Sequence, residues 1–315
     1  MRIPVRKSKR LALPFGPPVI SIDVEDWPQS TWDHSLPITE RAASNTRRVL
    51  ALLSEAGVHA TMFVLGKFAE RFPAVVREIH AQGHEVASHG YGHVEIFHQS
   101  QGEFTEDIRR SKENLEQIIG ARVRGYRAPD FSIVRKTLWA LRILSEAGFD
   151  YDSSIFPIRH ARYGIPDWPV IPVRVDLSNG KTITECPIAT FHWIGKNWPV
   201  GGGGYHRLLP GSLCRHLAKR AMKSNPFVFY CHPYELDHSE FQQMSVAIPK
   251  YLRLHQGFGR RWVARRFKSF LRQFGGRRIA DLASSFDWPT FDPNMLMNSG
   301  NGEQAKFIKR GRSKA

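Results

Sequence analysis

The sequence contains little cysteine and no long hydrophobic run. Among its 315 residues there are three cysteines, Cys186, Cys214 and Cys231, which are scattered and odd in number. This pattern argues against a disulfide framework and favours a reducing compartment, so the cytoplasm is the expected location. No apolar run approaches the roughly 20 residues that a membrane-spanning helix needs. The apolar residues 11–14 are too few for the core of a signal peptide.

Acidic residues are scarce in comparison with basic residues, and the net charge is +16. Residues 1–22 carry five Lys/Arg and no acid, and residues 250–315 carry fifteen Lys/Arg and four acids. Residues 23–249 are therefore neutral. A nucleic-acid enzyme needs a basic groove beside its chemistry, so no specific nucleic acid is expected as a partner. The basic ends fit an anionic membrane surface or an acidic polymer, which makes a peripheral position at the inner face of the membrane a hypothesis.

The first half of the chain alternates between strand-like and helix-like segments. Apolar segments at residues 19–23, 59–65, 85–88 and 122–126 are predicted strands, and each precedes a helical pattern that ends at a glycine. Repeated units of this kind predict an α/β protein with a parallel sheet. Polar residues follow nearly every strand, which favours a closed or nearly closed βα barrel over an open sheet. The predicted helices cover residues 39–56, 67–82, 103–119, 134–147, 213–222 and 260–274.

Histidines and acidic residues lie directly after three of the apolar segments. An acidic run at residues 23–26 ends the first strand, and His89 and His93 follow the third. His232 follows the apolar segment 227–231. Because the carboxyl ends of the strands meet at one face of such a fold, these side chains are expected to lie together. Two imidazoles and one carboxylate form a three-ligand set for a divalent metal with a position left open for water, which predicts a metal-dependent hydrolase.

Five short blocks follow one another along residues 18–235. They are Asp23-Val24-Glu25-Asp26-Trp27, His89-Gly90-Tyr91-Gly92-His93, Arg127-Ala128-Pro129-Asp130-Phe131-Ser132, Asp150-Tyr151-Asp152-Ser153-Ser154 and Phe229-Tyr230-Cys231-His232-Pro233. Taken in this order, they resemble the NodB-homology polysaccharide deacetylases, which form carbohydrate esterase family four. Each block alone is a weak signal, whereas five in the same order are a strong one.

The resemblance implies a distorted (β/α) barrel and one divalent metal ion, usually zinc. It also implies removal of acetyl groups from an N-acetylated oligo- or polysaccharide. Residues 152–157 and 202–210 look like a subgroup that accompanies exopolysaccharide biosynthesis and carries an extra C-terminal region. The expected organisation is a basic segment at 1–17, a deacetylase domain at 18–235, an extension packed on the barrel at 236–296 and a basic disordered tail at 297–315.

The identity of the carboxylate ligand is open between two alignments. Most members have adjacent aspartates, the first a base and the second a metal ligand, whereas here two residues separate Asp23 from Asp26. Alternation along the strand puts Asp23 and Glu25 on one face, which favours Asp23 as the base and Glu25 as the ligand. The other alignment makes Glu25 the base and Asp26 the ligand. His89 and His93 complete the ligand set in both.

The remaining family roles concern proton transfer. The resemblance implies that Arg127 orients the carboxylate of Asp23. It also implies that His232 is the general acid that protonates the leaving amine. Such an acid has to be charged near neutral pH, which a nearby carboxylate can arrange. Asp152 is the candidate for that carboxylate, and Asp150 is the alternative.

Two glycine positions carry further expectations. Gly90 stands where most members have Ser or Thr, which predicts a looser metal loop without the loss of a ligand. The glycines at residues 201–204 lack the strand, lysine and Ser/Thr of a phosphate-binding loop, so they are predicted to form a flexible or tightly turned loop.

The predicted helix at 260–274 has an apolar stripe beside several arginines. It is expected either to pack on the barrel or to press on a membrane. The stripe consists of Val263, Phe267, Phe270, Leu271 and Phe274.

Other functions stay open at this stage. A related amide hydrolase acting on peptidoglycan or on small cyclic amides has the same motifs. A non-catalytic polysaccharide-binding protein is the alternative from another class, although the intact set of ligands, base and acid argues against it. A nucleic-acid binder is supported only by the basic ends.

Overall fold

The computed structural model describes residues 13–177, 180–244 and 247–298 of the chain. Most of the predicted basic segment 1–17 and of the predicted tail 297–315 lies outside these residues. The strands are β1 (Val19–Val24), β2 (Thr61–Val64), β3 (Glu85–Ser88), β4 (Gly125–Tyr126), β5 (Tyr151–Asp152), β6 (Val173–Asp176), β7 (Thr182–Glu185), β8 (Thr190–Trp193), β9 (Lys196–Pro199), β10 (Val228–Cys231) and β11 (Thr290–Phe291). The helices are α1 (Glu40–Ala56), α2 (Gly66–Arg71), α3 (Pro73–Ala81), α4 (Gln101–Ile119), α5 (Trp139–Glu146), α6 (Gly203–Leu208), α7 (Gly211–Ala221), α8 (Glu240–Gln243), α9 (Lys250–Gly257), α10 (Arg260–Phe274), α11 (Ile279–Ser285) and α12 (Met295–Asn298).

One large sheet organises the described part of the chain, with the strand order β10-β1-β2-β3-β4-β5-β7-β6-β11. All neighbours from β10 to β7 run parallel, whereas β6 is antiparallel to β7. The strands β8 and β9 form a separate antiparallel hairpin. Parallel neighbours place their carboxyl ends on the same edge of the sheet. The prediction of a mixed α/β fold with a parallel sheet is confirmed.

Strand β1 contributes to two hydrophobic clusters, one on each face. Ile22 packs with residues of the surrounding helices, whereas Val19 packs with residues of β2, β3, β5 and β10. A cluster drawn from strands on both sides of β1 fills the inside of a curved sheet, as in a βα barrel. Asp23 lies on the same face as Val19 because side chains alternate along a strand. The polar end of β1 therefore opens into the barrel interior.

The barrel is distorted at the edge of β10 that does not pair with β1. Irregular backbone, and not a regular strand, lies beside this edge. The Ala189 N–H donates to the carbonyl oxygen of Val228 at 3.2 Å, and the Tyr230 N–H donates to that of Gly201 at 2.7 Å. These bonds attach the chain between β7 and β10 to the edge strand. They satisfy backbone groups of β10 that would otherwise be left without partners.

The glycine run at 201–204 is a loop only in its first two residues, because the last two belong to a helix that was not predicted. Gly202 has a φ of +119° and forms a bridge with Tyr230 in β10. A Cβ atom on Gly202 would lie 1.9 Å from the carbonyl oxygen of Tyr230. Helix α6 then begins at Gly203. The run therefore permits a close approach of two backbones, which only glycine allows.

The predicted helix at 67–82 is two helices in the structure. Helix α2 ends at Arg71, and α3 begins at Pro73. Proline has no N–H to donate and disfavours helical geometry in the preceding residue, which explains the break at Phe72. Phe72 accordingly has φ −128° and ψ 54°.

Helix α10 packs its apolar stripe on the barrel. Phe267 and Phe270 stack on Phe229 of β10 with ring centroids 5.7 and 5.0 Å apart. All five side chains of the stripe are buried, so they do not face a membrane. Truncating a buried phenylalanine typically costs about 3–5 kcal/mol, which makes this helix part of the folded unit. Among the described residues, no helix combines the length and apolarity needed to cross a bilayer.

Burial of His206 predicts a pH dependence of stability. Its ring packs edge-on against Phe229, and burial lowers the pKa of His206 from 6.5 to about 4. The folded state then binds fewer protons than the unfolded state, so stability is lost as the pH falls from about 6.5 through about 4. The free energy of unfolding should fall when the pH is lowered from about 7 to about 5. We expect this fall to be about 1–2 kcal/mol smaller in His206→Gln than in the unaltered protein. Urea denaturation of both proteins at both pH values measures the free energy of unfolding.

The control is His238→Gln, because His238 is exposed. This variant should show the same pH dependence as the unaltered protein. An unchanged pH dependence in His206→Gln would contradict the argument.

Candidate metal centre and active site

Five candidate residues lie at the carboxyl ends of neighbouring strands. Asp23 is in β1, and Glu25 is the first residue after that strand. His89 follows β3, Arg127 follows β4 and His232 follows β10. Since β10, β1, β2, β3 and β4 are consecutive in the sheet, their ends form one side of the barrel mouth. The sheet order therefore brings together residues that are far apart in the sequence.

Glu25, His89 and His93 form a compact group of potential metal ligands. Their ligand atoms all lie within 4.8 Å of one another. Glu25 Oε2 is 2.6 Å from His93 Nε2 and 3.9 Å from His89 Nε2. All three residues are buried. The structure thus assembles the ligand set of the alignment that uses Glu25.

The ring of His89 is oriented for metal binding by a backbone contact. Its Nδ1 lies 2.8 Å from the carbonyl oxygen of Arg127, to which it donates a hydrogen bond. This bond leaves Nε2, the atom nearer Glu25, free of a proton. Burial lowers the pKa of His89, which favours the neutral ring that a metal requires.

The electrostatics of Glu25 fit a bound cation. Burial by itself would raise the pKa of Glu25, but His93, His232 and His89 lower it to about 2. Glu25 Oε2 is buried and has no hydrogen-bond donor in suitable geometry, although His93 Nε2 is close. Such an oxygen is costly unless a cation or a donor satisfies it. One carboxylate and two imidazoles are a donor set that suits zinc.

The loop that carries the two histidines is held by hydrogen bonds around Gly90. The carbonyl oxygen of Gly90 accepts bonds from the Gly66 N–H at 2.9 Å and the Ser111 hydroxyl at 3.0 Å. Gly90 has a φ of +76°, and a Cβ there would lie 2.9 Å from Asp107 Oδ2. His93 has a φ of +63°, a left-handed conformation that is uncommon outside glycine and is often found at functional sites.

Asp23 is held by the guanidinium of Arg127, as the resemblance implies. Arg127 Nη1 donates to Asp23 Oδ1 at 2.7 Å and to the Ser21 hydroxyl at 2.9 Å. The other oxygen, Asp23 Oδ2, lies 3.9 Å from His232 Nε2. One oxygen of the carboxylate is therefore anchored, and the other faces the space between the candidate acid and the ligand set.

His232 has a carboxylate partner that the sequence analysis missed. Its Nδ1 lies 3.2 Å from Glu235 Oε1, and its Nε2 lies 3.3 Å from Glu25 Oε1. Burial alone would lower the pKa of His232, but Glu235, Glu25 and Asp23 raise it to about 9. Glu235 reaches the ring because a 3₁₀ turn follows β10 directly. The His-x-x-Glu spacing at 232–235 is the signal that points to this pair.

Asp152 does not serve His232, so the structure corrects that expectation. The carboxylate of Asp152 accepts a bond from the Ser154 hydroxyl at 2.5 Å and lies against its partner across the sheet, Glu185. Burial raises the pKa of both carboxyls, that of Glu185 well above its usual range. The alternative, Asp150, pairs with two arginines at the surface. Both aspartates are therefore committed to other contacts.

Asp26, the alternative ligand, supports helix α1. Its Oδ2 accepts a bond from the Thr39 N–H at 2.6 Å, directly before the helix begins. Burial raises the pKa of Asp26 to about 6. Its carboxylate is therefore used by the backbone at the start of α1, while Glu25 joins the histidines.

Comparison with known families divides the chain into two matched regions. The first half matches the polysaccharide deacetylase family, over residues 16–151. Residues 153–288 match a domain of unknown function, DUF3473. The polysaccharide deacetylase region holds the ligand set, Asp23 and Arg127, whereas His232 and Glu235 lie in the second region.

Curated relatives support the same family. A peptidoglycan-N-acetylglucosamine deacetylase of Bacillus cereus is 32% identical over 96 residues, which are 30% of this chain and 35% of the relative. A chitooligosaccharide deacetylase of Azorhizobium caulinodans is 32% identical over 87 residues, which are 27% of this chain and 41% of the relative. The matched part thus spans less than half the length of these relatives.

Solved structures share the fold over nearly the whole chain. A Mycobacterium smegmatis protein assigned to the polysaccharide deacetylases has a TM-score of 0.54 at 19% identity, with 96% of this chain and 98% of that chain covered. PuuE allantoinase has a TM-score of 0.55 at 14% identity, with 89% and 97% covered. At these identities the likeness shows the fold alone.

The first site prediction concerns the metal ligands. We expect His89→Ala, His93→Ala and Glu25→Gln to lower zinc affinity by at least about tenfold, since even outer contacts of a metal site cost about 10–100-fold. Asp26→Asn should keep the metal, because its carboxylate bonds to the backbone. Metal content per folded chain, measured after zinc loading and gel filtration, tests this. Loss of zinc in Asp26→Asn with full retention in Glu25→Gln would support the other alignment.

The second site prediction concerns Glu235. We expect Glu235→Gln to reduce turnover by about 10–100-fold. It should also move the alkaline limb of the pH–rate profile to lower pH, because the carboxylate stabilises the charged ring of His232 and its loss lowers that pKa. The matched control is Glu78→Gln, a half-buried glutamate that pairs with Arg47 at the surface. A Glu235→Gln profile that overlays that of the control would contradict the role of Glu235.

Proposed function

We propose that this protein is a metal-dependent hydrolase that removes N-acetyl groups from an N-acetylated oligo- or polysaccharide and releases acetate. The main support is that a ligand set, a base and an acid share one space. His232 Nε2 is 3.3 Å from Glu25 Oε1 and 3.9 Å from Asp23 Oδ2. Hydrolysis of an unactivated amide needs all three kinds of group within reach of one bond.

Glu25, His89 and His93 would hold one divalent cation, which we propose to be zinc. When bound, such a cation activates water and polarises the acetamide carbonyl. Histidines bind a metal in their neutral form, so Glu25 would be the one charged ligand of the cation. A divalent cation with one carboxylate ligand would keep a net positive charge. This charge would stabilise the negative charge that develops on the carbonyl oxygen of an uncharged amide substrate.

Asp23 is the proposed general base. Its Oδ2 accepts the proton of the attacking water, while Arg127 keeps the carboxylate in place through Oδ1. The carbonyl carbon gains a bond to the water oxygen and later loses its bond to nitrogen. Because Arg127 is fully buried and bonded on several sides, Asp23 does not need to reorganise during the reaction.

His232 is the proposed general acid. Its Nε2 donates a proton to the departing nitrogen, which leaves as the amine of the sugar, and acetate is the other product. Glu235 holds the ring from Nδ1 and favours its charged form. With a pKa of about 9, the ring carries its proton near neutral pH.

The proposed substrate class rests on the names of the relatives, which act on N-acetylglucosamine in peptidoglycan and on chitooligosaccharides. The motifs at 202–210 are the support for a place in exopolysaccharide biosynthesis, and the sparse cysteines are the support for a cytoplasmic location. The same motifs support the subgroup with an extra C-terminal region. The substrate class, the place in exopolysaccharide biosynthesis, the cytoplasmic location and the subgroup are all parts of this proposal.

The test is acetate release from a panel of N-acetylglucosamine oligomers, peptidoglycan fragments and an acidic exopolysaccharide by the zinc-loaded protein. We expect release from at least one glycan. Asp23→Asn should keep the metal and lose at least about a hundredfold in turnover, the usual contribution of a general base.

The matched control is Asp150→Asn, because Asp150 pairs with arginines at the surface. It should retain turnover. Allantoin belongs in the panel as a small cyclic amide. Hydrolysis of allantoin without release of acetate from any glycan would contradict the proposed substrate, and full metal loading without any hydrolysis would contradict the proposed catalysis.

A further inference from the structure

Helix α9 carries large apolar side chains on its solvent side. Tyr251, Leu254 and the residue that follows the helix, Phe258, are 75%, 72% and 57% exposed. Their spacing of three and four residues places them on one face of the helix. No residue of α9 is fully buried. A surface helix normally turns its apolar residues toward the core, so this stripe is an exposed patch of the kind that marks an interaction site.

Trp262 of α10 connects this stripe to a group of arginines. The rings of Phe258 and Trp262 are 6.3 Å apart. The guanidinium of Arg261 lies 4.3 Å from the Trp262 ring, and that of Arg266 lies 5.5 Å from it. The half-buried Trp262 therefore stands at the border between an apolar surface and a cationic one.

Arginines close to Trp262 line a shallow cavity, and none of its lining residues carries a carboxylate. Its volume is about 390 Å³, and Arg266 is held in its wall by bonds to the carbonyl oxygens of His206 and Arg207. Among the described residues, Arg215, Arg261 and Arg265 form no ion pair with an acidic side chain. Their charge is therefore not compensated locally. The cavity is lined by Pro210, Gly211, Arg215, Trp262, Arg265, Arg266 and Ser269.

We propose that this surface docks the protein on an anionic phospholipid membrane. Exposed apolar residues beside an uncompensated cationic group are complementary to the interface of such a membrane, where acyl chains lie directly below charged headgroups. An aromatic residue at the border suits the same interface. We call this surface the α9–α10 face, and it consists of Tyr251, Leu254, Phe258, Trp262, Arg215, Arg261, Arg265 and Arg266.

The α9–α10 face is different from the membrane contacts expected from the sequence. The apolar stripe of α10 is buried, so this helix exposes Arg261 and Arg265 and not its phenylalanines. The apolar contribution comes instead from α9, which the sequence analysis did not assign. The predicted basic tail at 297–315 lies almost entirely outside the described residues.

The test is sedimentation of the full-length protein with vesicles of phosphatidylcholine, with or without phosphatidylglycerol. We expect binding that requires phosphatidylglycerol and weakens as salt is raised. Tyr251→Ser/Leu254→Ser/Phe258→Ser should weaken it by at least about tenfold, because apolar area is no longer removed from water. Arg261→Gln/Arg265→Gln should weaken it by about tenfold through the lost attraction to the headgroups. The measurement needs no turnover, so its result is independent of the proposed deacetylase activity.

Matched controls come from other surfaces of the molecule. Ile194→Ser removes an apolar side chain that is 74% exposed on the β8–β9 hairpin. Arg77→Gln/Arg159→Gln removes two exposed charges outside the face. Both controls should bind vesicles like the unaltered protein. All altered residues are exposed, so no variant should unfold at a lower temperature than the unaltered protein.

Several results would overturn the proposal. One is equal binding by the α9–α10 variants and the controls. Another is loss of binding only when residues 299–315 are removed, which would assign the attraction to the tail. A third is concentration-dependent dimerisation that the α9 variant abolishes, without any vesicle binding, because it would identify the stripe as a contact between two copies of the chain.

Discussion

The buried guanidinium of Arg127 is the interaction on which the rest of the site depends. It is fully buried and donates hydrogen bonds to Ser21, Asp23 and the backbone and side chain of Ser153. A buried charge is stable only when it is paired and bonded, and removal of one partner typically costs about 3–5 kcal/mol. Arg127 thus joins β1 to the ends of β4 and β5. Its carbonyl oxygen also orients His89, so the proposed base and a candidate metal ligand share one support.

The two regions matched by different families form a single site. Strand β10 belongs to the second region but pairs in parallel with β1 of the first. This pairing brings His232 to within 4 Å of Asp23 and Glu25. The proposed acid, His232, also has its own partner, since Glu235 follows it in the same turn. The first region alone therefore holds the candidate ligands and the proposed base but lacks the proposed acid.

The periodicity of a helix shows which of its faces is apolar, but not what covers that face. In α10 the stripe that includes Phe267 and Phe270 is covered by β10, as one of the two sequence interpretations expected. In α9 the equivalent apolar side chains, Tyr251 and Leu254, are left uncovered. Both helices are amphipathic and basic in sequence. The difference lies in their positions on the barrel, which the sequence pattern does not contain.

The sequence by itself determined the parallel α/β fold, and it favoured Glu25, His89 and His93 as candidate metal ligands. Alternation along a strand places Asp23 and Glu25 on one face, and this local rule favoured the alignment that agrees with the structure. Only the tertiary structure decided the partner of His232, because Glu235 and Asp152 are both carboxylates near a strand end and the choice depends on where each side chain points. Residue spacing in the sequence shows whether a segment is a helix or a strand and which residues share a face. It does not show which distant residues come into contact, because that depends on how the barrel packs.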